Sequence, residues 1–494
     1  MSDARVIGID VGTSSLKAIA VDGTGAVLAS ADRAYPVTME RPGWSEQDPA
    51  LWWEACESAL MELDAAHCDG IGFTGQMHGL VALGDDEAPL RPAILWNDGR
   101  SQPQVDALLE RVGVERLVEL SGNRPLAGFT APKLLWLAEH EPELLGRIRR
   151  IMLPKDYVRM RLTGEAACEV TDASGTLLLD VRQRRWSEEL CEVFGADPAW
   201  LPPVHESAAV VGRTAAGVPV AAGAGDQAAG ALGVGVIDAA GPASLVLGTS
   251  GVIFAAQDAY AADPEGRLHE FCHALEGRWH VMGVILAAAG ALAWLDRAIG
   301  HGDGIPTLLE EAAAWPPGCE GLLFAPYLSG ERTPHPDSDV RGGFVGLGLR
   351  HDRGAMVRAV LEGVAHALRD GLDLIRESNP THPGPASARV SGGGARSQLW
   401  CEILAAMLEL PLEHTASSSA GAAYGAALLG GVAGGVFDDP AAAAGATVQV
   451  TGEVTPDPAL VEAYAAERDR YRALYPALAR FRPGHADPSA TGAA

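Results

Sequence analysis

The stretch Val6-Ile7-Gly8-Ile9-Asp10-Val11-Gly12-Thr13-Ser14-Ser15-Leu16-Lys17-Ala18-Ile19-Ala20-Val21 reads as two apolar strands joined by a tight polar turn. Asp22-Gly23-Thr24-Gly25 supplies a second turn and Ala26-Val27-Leu28-Ala29 a third strand, so residues 5–29 predict a β-meander. The pattern returns at Ser244-Leu245-Val246-Leu247, Gly248-Thr249-Ser250-Gly251 and Val252-Ile253-Phe254-Ala255-Ala256. The two Gly-Thr-Ser turns lie 236 residues apart in a chain of 494. Matching context at about half the length points to a duplicated domain. Each turn gathers backbone N–H groups and two hydroxyls, a set that suits a phosphate. One copy alone is as well read as an ordinary polar turn; two copies, one per half, suggest a nucleotide clamped between two lobes.

Between the repeats lies Val218-Pro219-Val220-Ala221-Ala222-Gly223-Ala224-Gly225-Asp226-Gln227-Ala228-Ala229-Gly230-Ala231-Leu232-Gly233. An apolar run enters a Gly-rich turn and leaves as an Ala/Gly-rich helix. Asp226 is the one ionisable side chain between Arg213 and Asp238. It reads equally as a helix N-cap, a position Asp favours, or as a working base.

Composition narrows the function. Formal net charge is −27, from 37 basic and 64 acidic residues, which argues against general nucleic-acid or anionic-membrane binding. The seven cysteines are dispersed without CxxC spacing and read as reduced thiols of a cytoplasmic protein. No signal peptide is visible. The longest apolar run, Val281 to Leu295, has 15 residues and reads as a buried helix, too short for a membrane span.

Other stretches carry polar groups at strand ends. Ile71-Gly72-Phe73-Thr74 runs into Gly75-Gln76-Met77-His78-Gly79, where the flanking glycines favour a cleft position for His78 over a core one. Leu95-Trp96 leads to Asn97-Asp98-Gly99-Arg100, a loop with donors and acceptors for a polyol or, more plainly, an Asn-Asp-Gly turn with a surface arginine. Asp48-Pro49 predicts the start of a helix reaching Leu63. Leu153-Pro154-Lys155-Asp156-Tyr157 and Thr171-Asp172-Ala173-Ser174-Gly175 read as polar connections. A long helix is expected from Arg353 to about Arg376 and a loop over 378–387. A strand at Ala388-Arg389-Val390-Ser391 then ends in Gly392-Gly393-Gly394-Ala395-Arg396-Ser397, where backbone can meet a phosphate or ribose.

Taken together, Gly-Ile-Asp-Val-Gly-Thr-Ser at 8–14, Gly-Gln-Met-His-Gly at 75–79, Leu-Trp-Asn-Asp-Gly-Arg at 95–100, Pro-Lys-Leu-Leu-Trp at 132–136, Gly-Asp-Gln at 225–227, Leu-Gly-Thr-Ser-Gly at 247–251 and Gly-Gly-Gly-Ala-Arg-Ser at 392–397 resemble the FGGY family of carbohydrate kinases. Order and spacing match from about residue 5 to about 430. The resemblance implies an α/β fold of two actin/hexokinase-like (ribonuclease H-like) domains, 1–240 and 241–480, with a cleft between them and a disordered tail at 481–494. It implies ATP-dependent phosphorylation of D-xylulose, with ribulose, gluconate or glycerol as alternatives. Asp226 is carried over as the base and Asp10 as the acidic group near phosphates and Mg2+. Met77, His78, Trp96, Asn97, Asp98, Arg100 and Gln227 are expected on the sugar; Gln227 stands where many relatives have Asn. Gly12, Thr13, Ser14, Lys17, Gly248, Thr249, Ser250, Gly392, Gly393, Gly394 and Ala395 are expected on the nucleotide. Sugar and ATP are the implied partners, with no nucleic acid and no membrane, and a homodimer is an assembly the resemblance allows.

Two other classes compete. A non-enzymatic actin-like ATP-binding protein has no need of Gln-Met-His, Asn-Asp-Gly-Arg or Asp226. A dinucleotide-binding oxidoreductase requires GxGxxG at the first strand with an acidic residue about 20 positions on, and the chain lacks it.

Overall fold

Residues 5–34 form the expected meander, with strands Arg5–Val11, Ser15–Asp22 and Val27–Ala34 paired antiparallel. The computed structural model describes residues 4–379 and 384–482. Residues 380–383 of the expected loop and all but the first two of the expected tail lie outside them. The chain forms two compact units: Met1–Asp238 with Ala256–Val281 and Ala420–Gln449, and Ala239–Ala255 with Met282–Ser419 and Val450–Ala494. The chain first passes from one unit to the other at Asp238/Ala239, and it crosses between them repeatedly thereafter.

In the first unit the meander continues into parallel strands. Arg5–Val11 pairs in parallel with Gly70–Gly75, which pairs in parallel with Pro219–Ala221 and with Ala224–Gly225. One face buries Ile7, Ile9, Leu16 and Phe73 under Trp52 and Tyr157. Trp52 comes from the helix Pro49–Glu62, which opens as its sequence predicts: the Asp48 side chain accepts from the Ala50 N–H, with Pro49 first in the helix. Tyr157 comes from the helix Pro154–Thr163.

The other face is covered by the helix Ala422–Ala433. Helix and sheet meet backbone to backbone. A Cβ built on Gly8 lies 1.9 Å from the Ala423 carbonyl oxygen, and one on Gly72 lies 1.9 Å from that of Ala426. Gly425 approaches Ala229 of the helix Asp226–Gly233 as closely, at 1.8 Å. These approaches explain why both helices are built of alanine and glycine.

The second unit repeats the plan. Ala243–Leu247 pairs antiparallel with Gly251–Gln257 and parallel with Ala388–Ser391. Leu412–Thr415 adds in parallel and Val450–Val454 antiparallel. The helix Arg353–Ser378, capped by the Asp352 side chain on the Ala355 N–H, runs beside the helix Gln398–Leu408.

Two expectations are corrected. The apolar run 281–295 is the end of a strand, Trp279–Ile285, and the start of a helix, Ala289–Ile299. Continuous apolarity does not separate the two types. The stretches around Lys155 and Thr171 are buried helices, Pro154–Thr163 and Val170–Ser174, and not connections. Their charged side chains neutralise one another inside the protein, which a reading by polarity misses.

The backbone contacts give a stability prediction. Gly72→Ala places a methyl group against a main-chain oxygen that cannot rotate away. Overpacking of this kind costs about 1–3 kcal/mol, so the urea midpoint is expected to fall accordingly. An unchanged midpoint would mean that the Ala422–Ala433 helix shifts without cost.

Candidate active site

Parallel pairing brings three chain segments to one sheet edge. Val11 and Gly225 are both register partners of Gly75. Asp10, the Gln76-Met77-His78 turn and Asp226 therefore emerge together at the carboxyl ends of adjacent strands, the usual ligand position of such sheets.

Asp226 is the first residue of its helix, and the N-cap is Gly225, which has no side chain to cap with. The N-cap reading of Asp226 is thereby excluded. Its carboxyl is pushed up to about 7, chiefly by burial and further by the charge of Asp10, against hydrogen bonds from Gln227. Asp10 is pushed up to about 6 by burial, opposed by Lys17, its register partner on the next strand. Asp10 Oδ1 is buried with no hydrogen-bond partner.

His78 sits at φ 66°, an uncommon conformation for a side-chain-bearing residue. Its ring stacks on Phe129 with centroids 4.4 Å apart. Nδ1 lies 2.7 Å from the Gly175 carbonyl; because that oxygen only accepts, Nδ1 carries the proton. The His78 main-chain oxygen accepts from Lys133 Nζ at 2.7 Å and Thr130 Oγ1 at 3.0 Å. Lys133 is fully buried, and burial lowers its ammonium to about 7. Met77 is buried with its sulfur against Gly225.

The first Gly-Thr-Ser turn is tied to the loops that carry Gln76 and Trp96. Thr13 Oγ1 donates to Gln76 Oε1 at 3.1 Å and accepts from Trp96 Nε1 at 2.9 Å. The Thr13 carbonyl accepts from Gln47 Nε2 at 2.7 Å and the Gly12 carbonyl from Tyr35 Oη at 2.7 Å. Ser14 and Asn97 are exposed, while Gln227 is half-buried. Asp98 and Arg100 are buried and grip each other through two side-chain contacts, at 2.9 and 2.7 Å. Arg100 also pairs with Glu46 at 2.6 Å and lies over the Trp44 ring at 3.6 Å. The polar atoms of Asp98 and Arg100 are thus engaged within the protein, as a clip on their own loop.

In the second unit the Gly248-Thr249-Ser250 turn points its carbonyls at a helix start. Gly248 O accepts from Ala289 N at 2.8 Å, and Thr249 O from Ala288 N at 2.8 Å and Gly290 N at 3.1 Å. A cavity of about 580 Å³ lies beyond the Ala388–Ser391 strand, lined by Ser391, Gly392, Gly393, Ala395, Arg396, Gln398, His414, Ser418 and Ser419. Gly392, at φ 87°, keeps its backbone against Leu247. Gly394 is buried between Leu247 and Trp400, outside the lining.

Sequence reasoning missed Lys133, Phe129, Arg396, Gln398, His414, Ser418 and Ser419 as site residues. A single lysine within Ala131-Pro132-Lys133-Leu134-Leu135-Trp136 is a signal that was available; the 414–419 residues arrive from a distant strand with none.

Two copies of one sheet plan, each with its Gly-Thr-Ser turn, define an actin/hexokinase-like α/β kinase. The chain belongs to the FGGY family of carbohydrate kinases: residues 5–233 match its N-terminal domain and residues 243–434 its C-terminal domain. It is 40% identical to the xylulose kinase of Escherichia coli K12, covering 96% of this chain and 97% of that one. It is 44% identical to the xylulose kinase of Lactococcus lactis, over 76% and 77% of the two chains. The solved xylulose kinase of Rhodospirillum rubrum superposes with a TM-score of 0.88 at 32% identity, over 97% of this chain and 99% of that one.

If His78 contacts a sugar hydroxyl, His78→Ala is expected to raise the sugar KM several-fold and leave the ATP KM nearly unchanged. A neutral hydrogen bond is worth about 0.5–1.5 kcal/mol. Steady-state kinetics with each substrate varied in turn provide the check; equal shifts in both constants would count against the contact.

Proposed function

We propose that this chain transfers the terminal phosphate of ATP to the 5-hydroxyl of D-xylulose, with Asp226 as general base. One observation carries the mechanism: a carboxyl at the strand ends, outside the cap position and desolvated to about 7. The xylulose kinases at about 40% identity over most of the chain support the substrate.

Asp226 accepts the hydroxyl proton as the sugar oxygen forms its bond to the γ-phosphorus. The bond from that phosphorus to the bridging oxygen breaks, and ADP leaves. The proton passes from Asp226 to solvent after turnover. A base near 7 is matched to neutral pH, where it is sufficiently ionised and still basic. The His78 ring, fixed by Gly175 and Phe129, orients the sugar with Met77 and Gln227 beside it. Trp96, through Thr13, braces the first turn. The cavity at Gly392, Gly393 and Ala395 takes the nucleoside, with Arg396, Gln398 and His414 as its polar contacts. Within the first unit the turn at Gly12 is a phosphate-binding turn, with Lys17 adding positive charge beside Asp10; the turn at Gly248 plays the same part within the second unit.

Magnesium fits what the first unit offers. Asp10 Oδ1 is buried and unpartnered, and among the described residues no cluster of three or more His, Cys, Asp or Glu side chains forms a metal cage. Sparse protein ligation is characteristic of Mg2+, which keeps waters and phosphate oxygens as ligands. Asp10 would hold it, and the ion would neutralise charge developing on the phosphoryl oxygens. Seven unpaired, buried cysteines suit a reducing cytoplasm.

Asp226→Asn keeps size and removes the proton acceptor, so kcat is expected to fall by about 10²-fold or more with KM nearly unchanged. In the parent, kcat should decline as pH drops through about 7, because protonation of the raised carboxyl removes the base. Coupled ADP release with a xylulose-binding control decides it; an Asp226→Asn enzyme within a few-fold of the parent would sink the mechanism.

Asp10→Asn is expected to raise the magnesium concentration needed for half-maximal turnover and to leave sugar binding intact. Titration of activity with MgCl2, beside calorimetry with xylulose, separates the two effects. Lost sugar affinity with an unaltered magnesium response would contradict the assignment.

A further inference from the structure

The segment that carries Asp226 has nothing of its own to hold it. Ala222, Gly223, Ala224 and Gly225 lack polar side chains, so the direction of the Asp226 side chain depends on what grips this backbone from outside. Ala222 N and Gly223 N donate to the carbonyls of Ala209 and Ser207, at 2.8 and 2.9 Å. Ala224 and Gly225 pair with Thr74 and Gly75 in the sheet, and two further grips come from a buried ionic cluster. Arg159 donates to the Ala222 carbonyl. At the other end the Gly225 N–H donates to Thr171 Oγ1 at 2.8 Å.

Thr171 is built for this contact. Its hydroxyl proton goes to Glu169 Oε1 at 3.0 Å, which turns the oxygen lone pairs outward as acceptors. Its own N–H donates to Glu169 Oε2 at 2.7 Å, locking the residue twice to one carboxylate. Glu169 in turn pairs with Lys155 at 3.1 Å, and Lys155 with Asp156 at 2.7 Å. All these side chains are buried. Buried ion pairs are poor sources of stability, because desolvation offsets their attraction. Here the cluster ends on two main-chain atoms that bracket the turn before Asp226.

We infer that Thr171 is a positioning residue for phosphoryl transfer: its hydroxyl fixes the Gly225 peptide and so aims the Asp226 carboxylate. The inference rests on the reading of Asp226 as the base. The same short helix, Val170–Ser174, ends at Gly175, whose carbonyl receives the His78 ring. One buried element thereby sets the base on one side and a sugar-side imidazole on the other.

The experiment compares Thr171→Val, which keeps shape and removes the hydroxyl, with Thr171→Ser, which keeps the hydroxyl. For Thr171→Val, kcat is expected to fall about tenfold or more, since small misplacements of a catalytic group are costly. The KM values for xylulose and ATP should stay within about twofold, because the binding residues keep their places. The acid limb of the kcat–pH profile should move to lower pH, because a loosened turn admits water to Asp226 and eases its ionisation. Thr171→Ser should restore kcat to within about threefold of the parent and return the limb to its place. A Thr171→Val enzyme with parental kcat and pH limb overturns the inference. So does a Thr171→Ser enzyme as slow as Thr171→Val, which would make the methyl group, and not the hydroxyl, the working part. Should Thr171→Val fail to fold, Thr171→Cys gives the same contrast through a weak thiol acceptor: a several-fold fall in kcat supports the inference, and parental kcat overturns it. Asp226→Asn measured alongside separates the two ideas. If it is active, the base reading fails and the positioning role with it. If it is inactive while Thr171→Val is unaffected, the positioning role alone fails.

Discussion

Holding two carboxylates close together at one sheet edge, each partly withdrawn from water, is the constraint on which the first unit depends. A carboxyl raised by burial toward neutrality is costly to maintain, because the ionised form loses its hydration. The protein maintains two, Asp10 and Asp226, near enough that the charge of one raises the other. Their surroundings follow from this. Gly225, Gly223 and the alanines beside them bring the backbone close, and Met77 fills the space against Gly225. Among the described residues no arginine or lysine pairs with Asp226; a close cation would lower its carboxyl toward the ordinary range. Lys17, opposite Asp10, acts on that residue alone among the two.

The support for these groups is polar and hidden. Lys133 spends a buried ammonium on two carbonyls, those of His78 and Gly128. The Lys155 cluster spends five charged side chains on a turn and a helix start. Neither arrangement is economical as a source of stability. Both end on main-chain atoms next to residues that face the site, and this shared destination makes positioning the better account of them.

Much of the architecture could be read from the chain. The two Gly-Thr-Ser turns report strand-turn-strand local structure, and local structure is what short patterns encode. Asp226 stands out because it is the one charged residue among the 24 of residues 214–237. Pairing partners at long range are different. Asp98 and Arg100 look like a sugar-holding loop until Glu46 and Trp44 arrive from fifty residues away to engage Arg100. Lys155, Asp156 and Asp172 look like solvated connections because each is charged; their neutralisation by one another exists only in three dimensions. The run 281–295 misleads for the complementary reason, since burial makes a strand and a helix equally apolar.

The helix Ala422–Ala433 lies on strands made more than three hundred residues earlier. During synthesis the first sheet therefore emerges and waits without its cover. At about 5–20 residues per second, the delay between Gly75 and the arrival of Ala433 is roughly 20–70 seconds. Throughout it, a glycine-lined, apolar face and its strands lack the element that closes them. Maturation of the first unit is thus a late event on the ribosome, and a chain truncated anywhere before residue 420 lacks part of the N-terminal unit's own core, not merely the end of the C-terminal one.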